Sequence, residues 1–177
     1  MRQCLKFPQR NAVSMLRTDA AEWIKSLSDE EKRAIRKYTG NGDARPKLYQ
    51  RINEMLRGDA AEDKTLRYYA EQISSALKRS TIGQNVICYR GSSVNPFGKA
   101  DVGSVVSFSQ FLSTSAISSR SFDAGVTFTI YVPKGKSGVA YIEELSEYPK
   151  QREILFDKDC RYVVLSNKEN QVELVVI

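Results

Sequence analysis

The sequence predicts an α+β fold, with a helical first half packed against one or two antiparallel sheets formed by the second half. Apolar residues recur at helical spacing as far as about residue 80, and the spacing becomes strand-like from Asn85 onward. No linker, repeat or low-complexity stretch separates the halves. We therefore expect residues 1–177 to form one domain, with an N-terminal extension (1–17), a helical lobe (18–80) and a β-rich core (84–177).

Capping residues divide the helical half. Thr18 is predicted to cap a first helix, and Ser28 with Glu31 forms the capping-box pattern that starts a second helix. Gly58 is expected to end a third helix, since glycine readily adopts the left-handed conformation at a helix end. Apolar residues on one face predict a longer fourth helix over residues 60–78.

The second half consists of short apolar segments separated by turn-forming residues. The alternation of apolar and polar residues is clearest between Val126 and Val132. Eight strands are predicted, over residues 86–90, 105–108, 110–113, 126–132, 139–142, 153–156, 162–165 and 172–177.

The composition limits the classes of partner. A formal charge of +6 is compatible with nucleic acid, an acidic protein or a polyphosphate ligand. Basic residues never run beyond two in a row and do not alternate with aromatic ones, so we expect no nucleic-acid partner. No apolar stretch reaches the roughly 18 residues of a membrane helix, and the start does not resemble a signal peptide.

The chain contains no histidine, and its three cysteines lie far apart. This excludes Ser-His-Asp and Cys-His catalytic pairs and argues against a structural zinc site. Cys88 and Cys160 have apolar neighbours in sequence, and we predict that they are buried thiols in a reducing environment. Any acid–base chemistry must then use carboxylates.

Three short segments in a fixed order carry the candidate chemistry: Tyr89-Arg90-Gly91, Phe111-Leu112-Ser113-Thr114-Ser115 and Gln151-Arg152-Glu153. An arginine at a strand end can direct its guanidinium at a phosphate, and the following glycine lets the backbone turn close to a ligand. A hydroxyl of the serine-rich segment can support a carboxylate on a neighbouring strand. Taken singly, each segment is better explained as a surface arginine, a helix cap or a polar pair at a sheet edge.

Glu153 directly precedes an apolar strand, and Gln151 is predicted to lie on the same face two residues earlier. The carboxylate, at the exposed start of the strand, would stabilise positive charge on a ribosyl carbon as nicotinamide leaves. The amide would orient an acceptor group on a partner. With Arg90, these groups are the parts needed to hold a dinucleotide and break its nicotinamide–ribose bond.

The three segments together resemble the mono-ADP-ribosyltransferases of the Arg, Ser-Thr-Ser and Glu-x-Glu class. The resemblance covers residues 20–175 and includes Lys37-Tyr38-Thr39 and the stretch from Ile52 to Arg57. It implies a helical lobe packed on a β-sandwich of two mainly antiparallel sheets, with NAD as co-substrate and no metal.

Gln151 stands where arginine-modifying members of that class carry Glu, and the aromatic Tyr148 precedes it by three residues. This pattern is similar to small clostridial-type exoenzymes that modify an asparagine of Rho GTPases. The resemblance implies a monomeric bacterial toxin that is secreted and transfers ADP-ribose to a small GTPase in the host cytosol. Other Gln-x-Glu toxins modify Thr or Gln, so the type of acceptor stays open.

The resemblance also implies a role for each matching position. Glu153 would bind a hydroxyl of the nicotinamide ribose, and Ser113 would support Glu153. Gln151 and Tyr148 would engage the acceptor protein. The positions implied to contact NAD are Arg90, Gly91, Asn53, Arg57, Thr39, Thr114 and Phe122.

One phosphate-binding arginine of the exoenzymes is missing between Phe122 and Tyr131, and Arg120 is the candidate replacement. Two other functions stay open. An NAD glycohydrolase would use the same site with water as the acceptor. A noncatalytic module would instead dock an acidic or nucleic-acid partner in a basic groove.

Overall fold

The computed structural model describes residues 6–40, 42, 44–118 and 125–177. Within these ranges the helices are α1 (Val13–Ser26), α2 (Asp29–Thr39), α3 (Leu48–Arg57) and α4 (Lys64–Lys78). The strands are β1 (Val86–Ser92), β2 (Val105–Ser107), β3 (Leu112–Ser115), β4 (Val126–Val132), β5 (Val139–Tyr141), β6 (Glu153–Phe156), β7 (Arg161–Lys168) and β8 (Gln171–Val176). A short 3₁₀ helix, Pro149–Gln151, precedes β6. The predicted α+β class is confirmed.

The helix ends follow local sequence signals in two of three predicted cases. Ser28 and Glu31 form the predicted capping box, each side chain accepting a hydrogen bond from the other residue's backbone N–H. Gly58 ends α3 in a left-handed conformation with φ 81°. Thr18 is not a cap, because α1 already begins at Val13 and the Thr18 hydroxyl donates to a main-chain carbonyl one turn earlier. No helix in the described ranges is both long and apolar enough to span a membrane.

All eight strands belong to one hydrogen-bonded sheet in the order β2-β7-β8-β4-β1-β3-β6-β5. Neighbours are antiparallel except β4 and β8. The strands β1 and β3 share a single residue pair, Tyr89 with Ser115, so a five-stranded part and a three-stranded part meet at a narrow seam. The two sheets that the family resemblance implies are therefore joined at this seam.

Aromatic packing brings the two parts of the sheet face to face. Phe156 of β6 contacts Tyr162 of β7 with ring centroids 5.9 Å apart, although four strands separate β6 from β7 in the sheet. Such contact requires the sheet to fold over on itself. Tyr38 of α2 packs edge-on against Phe111 at 5.6 Å, and this contact joins the helical lobe to the strand that carries the serines.

Asn11 compensates for the sparse pairing at the seam. Its side-chain oxygen accepts from the N–H of Ile87 at 3.0 Å, and its amide nitrogen donates to the carbonyls of Ile87 and Ala116. These contacts link β1 to the residue that follows β3. The N-terminal segment thereby fixes the separation of the two strands that carry Arg90 and Ser113.

Cys88 and Cys160 are buried free thiols, as predicted. Burial raises the pKa of Cys88 to about 12 and that of Cys160 to about 11. Both thiols are therefore protonated at neutral pH and unsuited to nucleophilic chemistry.

Candidate active site

A cavity of about 270 Å³ opens where β1, β3 and the start of β6 meet. Residues of all three predicted motifs line it, namely Tyr89, Arg90, Gly91, Ser113, Thr114, Ser115, Gln151 and Glu153. The strand register brings them together: Ser115 pairs with Tyr89 on one side and with Glu153 on the other. Segments distant in sequence thus lie on neighbouring strands.

Glu153 begins β6 and is 6% exposed, so the prediction of an exposed carboxylate at the strand start is wrong. It is buried because β6 is an interior strand, paired with β3 and β5, and because Tyr38 of the helical lobe lies near the carboxylate. Burial raises the pKa of Glu153, whereas a hydrogen bond from Ser113 and the positive charge of Arg90 oppose that rise. The carboxylate therefore lies in a low-dielectric site, where its negative charge interacts strongly with nearby charge.

Arg90 lies at the seam with its guanidinium directed across it. Its Nη1 donates to the main-chain carbonyl of Ser113 at 2.8 Å. Burial lowers the pKa of Arg90, and the Glu153 carboxylate is among the groups that offset this effect. A guanidinium remains protonated in proteins and carries several N–H donors, so the bond to Ser113 leaves donors for an anionic ligand.

Tyr38, in the helical-lobe motif Lys37-Tyr38-Thr39, is a site residue to which the sequence pattern assigns no role. Its hydroxyl accepts a hydrogen bond from the side-chain amide of Asn53 at 3.0 Å and lies near the Ser113 side chain. Burial raises the pKa of Tyr38, which therefore stays protonated and able to donate. The side-chain oxygen of Asn53 is buried and lacks a hydrogen-bond partner among the described residues. The signal available in the sequence was a tyrosine next to Thr39 in the helical motif.

The prediction that Gln151 shares a strand face with Glu153 is wrong. Gln151 ends the 3₁₀ helix that Pro149 begins, and Arg152 follows in a left-handed conformation with φ 51°. Proline suits the start of such a turn because its φ is already restricted to helical values. The turn leaves Gln151 exposed at the rim of the cavity that contains Glu153, and Tyr148 precedes the turn with 37% of its surface exposed.

Two residues of the helical lobe predicted to contact NAD make other contacts. Arg57 ends α3 and pairs with Asp59 at 2.6 Å and with the side chain of Gln110. Thr39 ends α2, where its hydroxyl accepts from the backbone N–H of Glu147 at 3.2 Å. Neither of these residues lines the cavity, and the buried Asn53, also predicted to contact NAD, does not line it either.

The other residues predicted to contact NAD are not all found at the cavity. Gly91 lines the cavity. Thr114 also lines it, but its hydroxyl donates to the carbonyl of Ile154 at 2.8 Å and so stabilises the pairing of β3 with β6. Phe122 and Arg120 lie outside the described residues.

Structural comparison relates this fold to known toxins. The structure is similar to Plx2a, an ADP-ribosyltransferase toxin from Paenibacillus larvae, with a TM-score of 0.80 and 24% identity, covering 97% of this chain and all of Plx2a. It is also similar to C3stau2 from S. aureus, whose structure was solved with NAD, with a TM-score of 0.74 and 19% identity. That likeness covers 98% of this chain and 99% of C3stau2. At these identities the likeness shows the fold.

Sequence comparison extends the relationship. A curated relative, the NAD(+)--arginine ADP-ribosyltransferase EFV of Enterococcus faecalis, is 26% identical over an alignment of 164 residues; the match covers 85% of this chain and 32% of EFV. The chain spans about a third of the length of the curated relatives it matches. Residues 16–176 match the ADP-ribosyltransferase exoenzyme family. Because that match extends over almost the whole sequence, the chain belongs to the ADP-ribosyltransferase exoenzyme family.

Proposed function

We propose that this chain is an NAD-dependent mono-ADP-ribosyltransferase, folded as one domain, that transfers ADP-ribose to a protein side chain and releases nicotinamide. The observation that carries the proposal is the arrangement around Ser113. Its carbonyl accepts a hydrogen bond from Arg90, and the residue lines the same cavity as the buried Glu153 carboxylate, whose pKa the Ser113 side chain lowers. A fixed cation and a fixed carboxylate therefore share one cavity of about 270 Å³.

In the proposed reaction, the guanidinium of Arg90 binds the pyrophosphate of NAD. The bond from the ribosyl carbon to the pyridinium nitrogen breaks, and its electron pair leaves with nicotinamide. Glu153 accepts a hydrogen bond from a ribose hydroxyl and stabilises the positive charge that develops on the sugar. The nucleophilic atom of the acceptor side chain then bonds to the ribosyl carbon and releases its proton to water.

Gly91 supports the fit to a dinucleotide, and Asn53 supports the site from outside the cavity. Asn53 is buried and does not line the cavity. Its side-chain amide donates to the hydroxyl of Tyr38, which lies near Ser113. Gly91 lacks a side chain that would keep a ligand away from β1.

We further propose that the acceptor is an asparagine of a Rho-family small GTPase. The exposed amide of Gln151 can both donate to and accept from an asparagine amide. An acidic residue at that position would favour the cationic side chain of arginine. The exposed Tyr148 provides an aromatic contact for the same partner. In keeping with its exoenzyme family, the protein is proposed to be secreted from a bacterium and to act in the host cytosol.

The test incubates the protein with radiolabelled NAD and a host-cell lysate, with Glu153→Ala as the matched control. We expect one labelled band near the size of small GTPases that is absent with Glu153→Ala. Mass spectrometry of that band should locate ADP-ribose on an asparagine.

Other outcomes separate the competing functions. Label on an arginine would contradict the asparagine acceptor and leave the transferase activity standing. Free ADP-ribose without labelled protein would indicate an NAD glycohydrolase. Absence of both NAD cleavage and an NAD-dependent thermal shift would indicate a noncatalytic module.

A further inference from the structure

Arg152 lies between Gln151 and Glu153, the two proposed functional residues, and has an unusual backbone conformation. Among the residues that the structure describes, it is the sole non-glycine with a positive φ, 51°. The left-handed region is unfavourable for a residue with a Cβ, so its surroundings must maintain it. The backbone N–H of Arg152 donates to Pro149 at 3.1 Å, and its carbonyl accepts from Ala116 at 2.9 Å.

The side chain of Arg152 is held by Glu143, which follows β5. The Arg152 Nη1 donates to the carboxylate of Glu143, whose side chain is only 13% exposed. The same carboxylate accepts two bonds from Arg17 of α1, at 2.8 and 3.0 Å, and a third from the hydroxyl of Tyr141 at 2.8 Å. Glu143 therefore joins the helical lobe to the turn.

Little side-chain packing is available to hold this turn. Gln151 lines the cavity of the candidate active site. Pro149, at the other end of the turn, lines a second cavity of about 340 Å³ together with Arg17, Tyr141 and Glu143. Because few neighbouring atoms pack against a segment that lies between two cavities, hydrogen bonds and ion pairs must hold the turn in position.

We propose that Glu143 is a positioning residue that holds Arg152, so that Gln151 faces the acceptor while Glu153 stays beside the ribose. The roles of Gln151 and Glu153 in this inference rest on the proposed function. Glu143 acts through Arg152 and does not touch the reacting atoms. Losing it should misplace the acceptor-facing group more than the buried carboxylate, since Glu153 is also held by β-pairing with Ser115.

The first experiment compares Glu143→Ala and the milder Glu143→Gln with Glu144→Ala, which changes an exposed neighbour at the same second cavity. We expect kcat/KM for protein modification to fall about tenfold or more in Glu143→Ala, with NAD hydrolysis falling less than about threefold. Glu143→Gln should show a smaller loss in the same direction. Glu144→Ala should behave like the wild type.

The second experiment measures how fast trypsin cuts the chain after Lys150. This measurement does not depend on the transferase activity of the protein. Cleavage should be about tenfold faster in Glu143→Ala and unchanged in Glu144→Ala, because a released turn opens more often. If the wild type proves inactive but this difference holds, the proposed function fails and the structural role of Glu143 stands.

A double-mutant cycle tests the route through Arg152. Glycine tolerates positive φ, so Arg152→Gly keeps the backbone path without the ion pair. In that background Glu143→Ala should change the ratio of modification to hydrolysis by less than about twofold. The proposal is overturned if Glu143→Ala has the same effect in the Arg152→Gly background as in the wild type. It is also overturned if Glu143→Ala alone leaves both trypsin cleavage and protein modification at wild-type levels.

Discussion

The guanidinium of Arg90 and the backbone of Ser113 are hydrogen-bonded across the seam of the sheet, with Nη1 2.8 Å from the carbonyl oxygen. The side chain of the same serine lies close enough to Glu153 to lower its pKa. Ser113 therefore lies between the proposed phosphate ligand and the proposed catalytic carboxylate. Asn11 reinforces this arrangement by linking β1 to the end of β3.

Arg90→Lys keeps the positive charge but removes the guanidinium fork. A single ammonium cannot bond the Ser113 carbonyl and a phosphate with the same geometry. We expect the KM for NAD in hydrolysis assays to rise about tenfold or more, the equivalent of one charge-assisted hydrogen bond. Arg161→Lys, at an exposed position on β7, is the control and should leave KM unchanged. An unaltered KM in Arg90→Lys would argue against phosphate binding by this residue.

Glu153→Gln separates the effect of the carboxylate on the stability of the fold from its effect on the reaction rate. NAD cleavage and protein modification should both fall by about 10²–10³, as when one electrostatic stabiliser is lost. Burial raises the pKa of Glu153 in the folded state, so folding favours the protonated form. The stability from that preference is present below the unfolded pKa and is lost as pH rises through the folded pKa.

Thermal unfolding measured across this pH range tests the sign. At neutral pH Glu153→Gln should be at least as stable as the wild type, because glutamine cannot ionise. The relative advantage of the variant should shrink as the pH falls through the raised pKa of Glu153, and it should stay constant once the pH is below the ordinary range for glutamate. A variant clearly less stable than the wild type at neutral pH would show that the carboxylate stabilises the fold.

Ser113→Ala should move the acidic limb of the pH–rate profile to higher pH. The hydroxyl of Ser113 lowers the pKa of Glu153 against the effect of burial, so its removal lets that pKa rise further. The measurement is kcat for NAD hydrolysis as a function of pH, which reports ionisation in the bound complex. Ser113→Thr retains a hydroxyl and should show a smaller displacement. A lower rate with an unchanged profile would mean that Ser113 acts on something other than the ionisation of Glu153.

Gln151→Ala should divide the two activities. We expect protein modification to fall about tenfold or more, while NAD hydrolysis stays within about twofold, because the exposed amide is proposed to contact the acceptor alone. Lys150→Ala changes the preceding residue of the same 3₁₀ turn and is the matched control. If hydrolysis and modification fell together in Gln151→Ala, the acceptor role would be wrong.

Features that depend on a few neighbouring residues could be predicted from the sequence. The capping box of Ser28 and Glu31 and the end of α3 at Gly58 are such cases, since backbone N–H groups and left-handed φ values are local needs. The wrong prediction for Gln151 shows where local sequence patterns fail. The spacing of two residues implied a shared strand face, whereas Pro149 starts a 3₁₀ turn and Arg152 adopts a positive φ.

The sequence by itself determined the α+β class, the order of the three motifs and the absence of histidine chemistry, because these follow from periodicity and residue identity. Only the tertiary structure decided that Glu153 is buried, that Tyr38 and Asn53 lie behind Ser113, and that Glu143 holds the turn. Burial and ion pairing depend on which distant segments meet. In this chain the seam between two parts of one sheet brings them together.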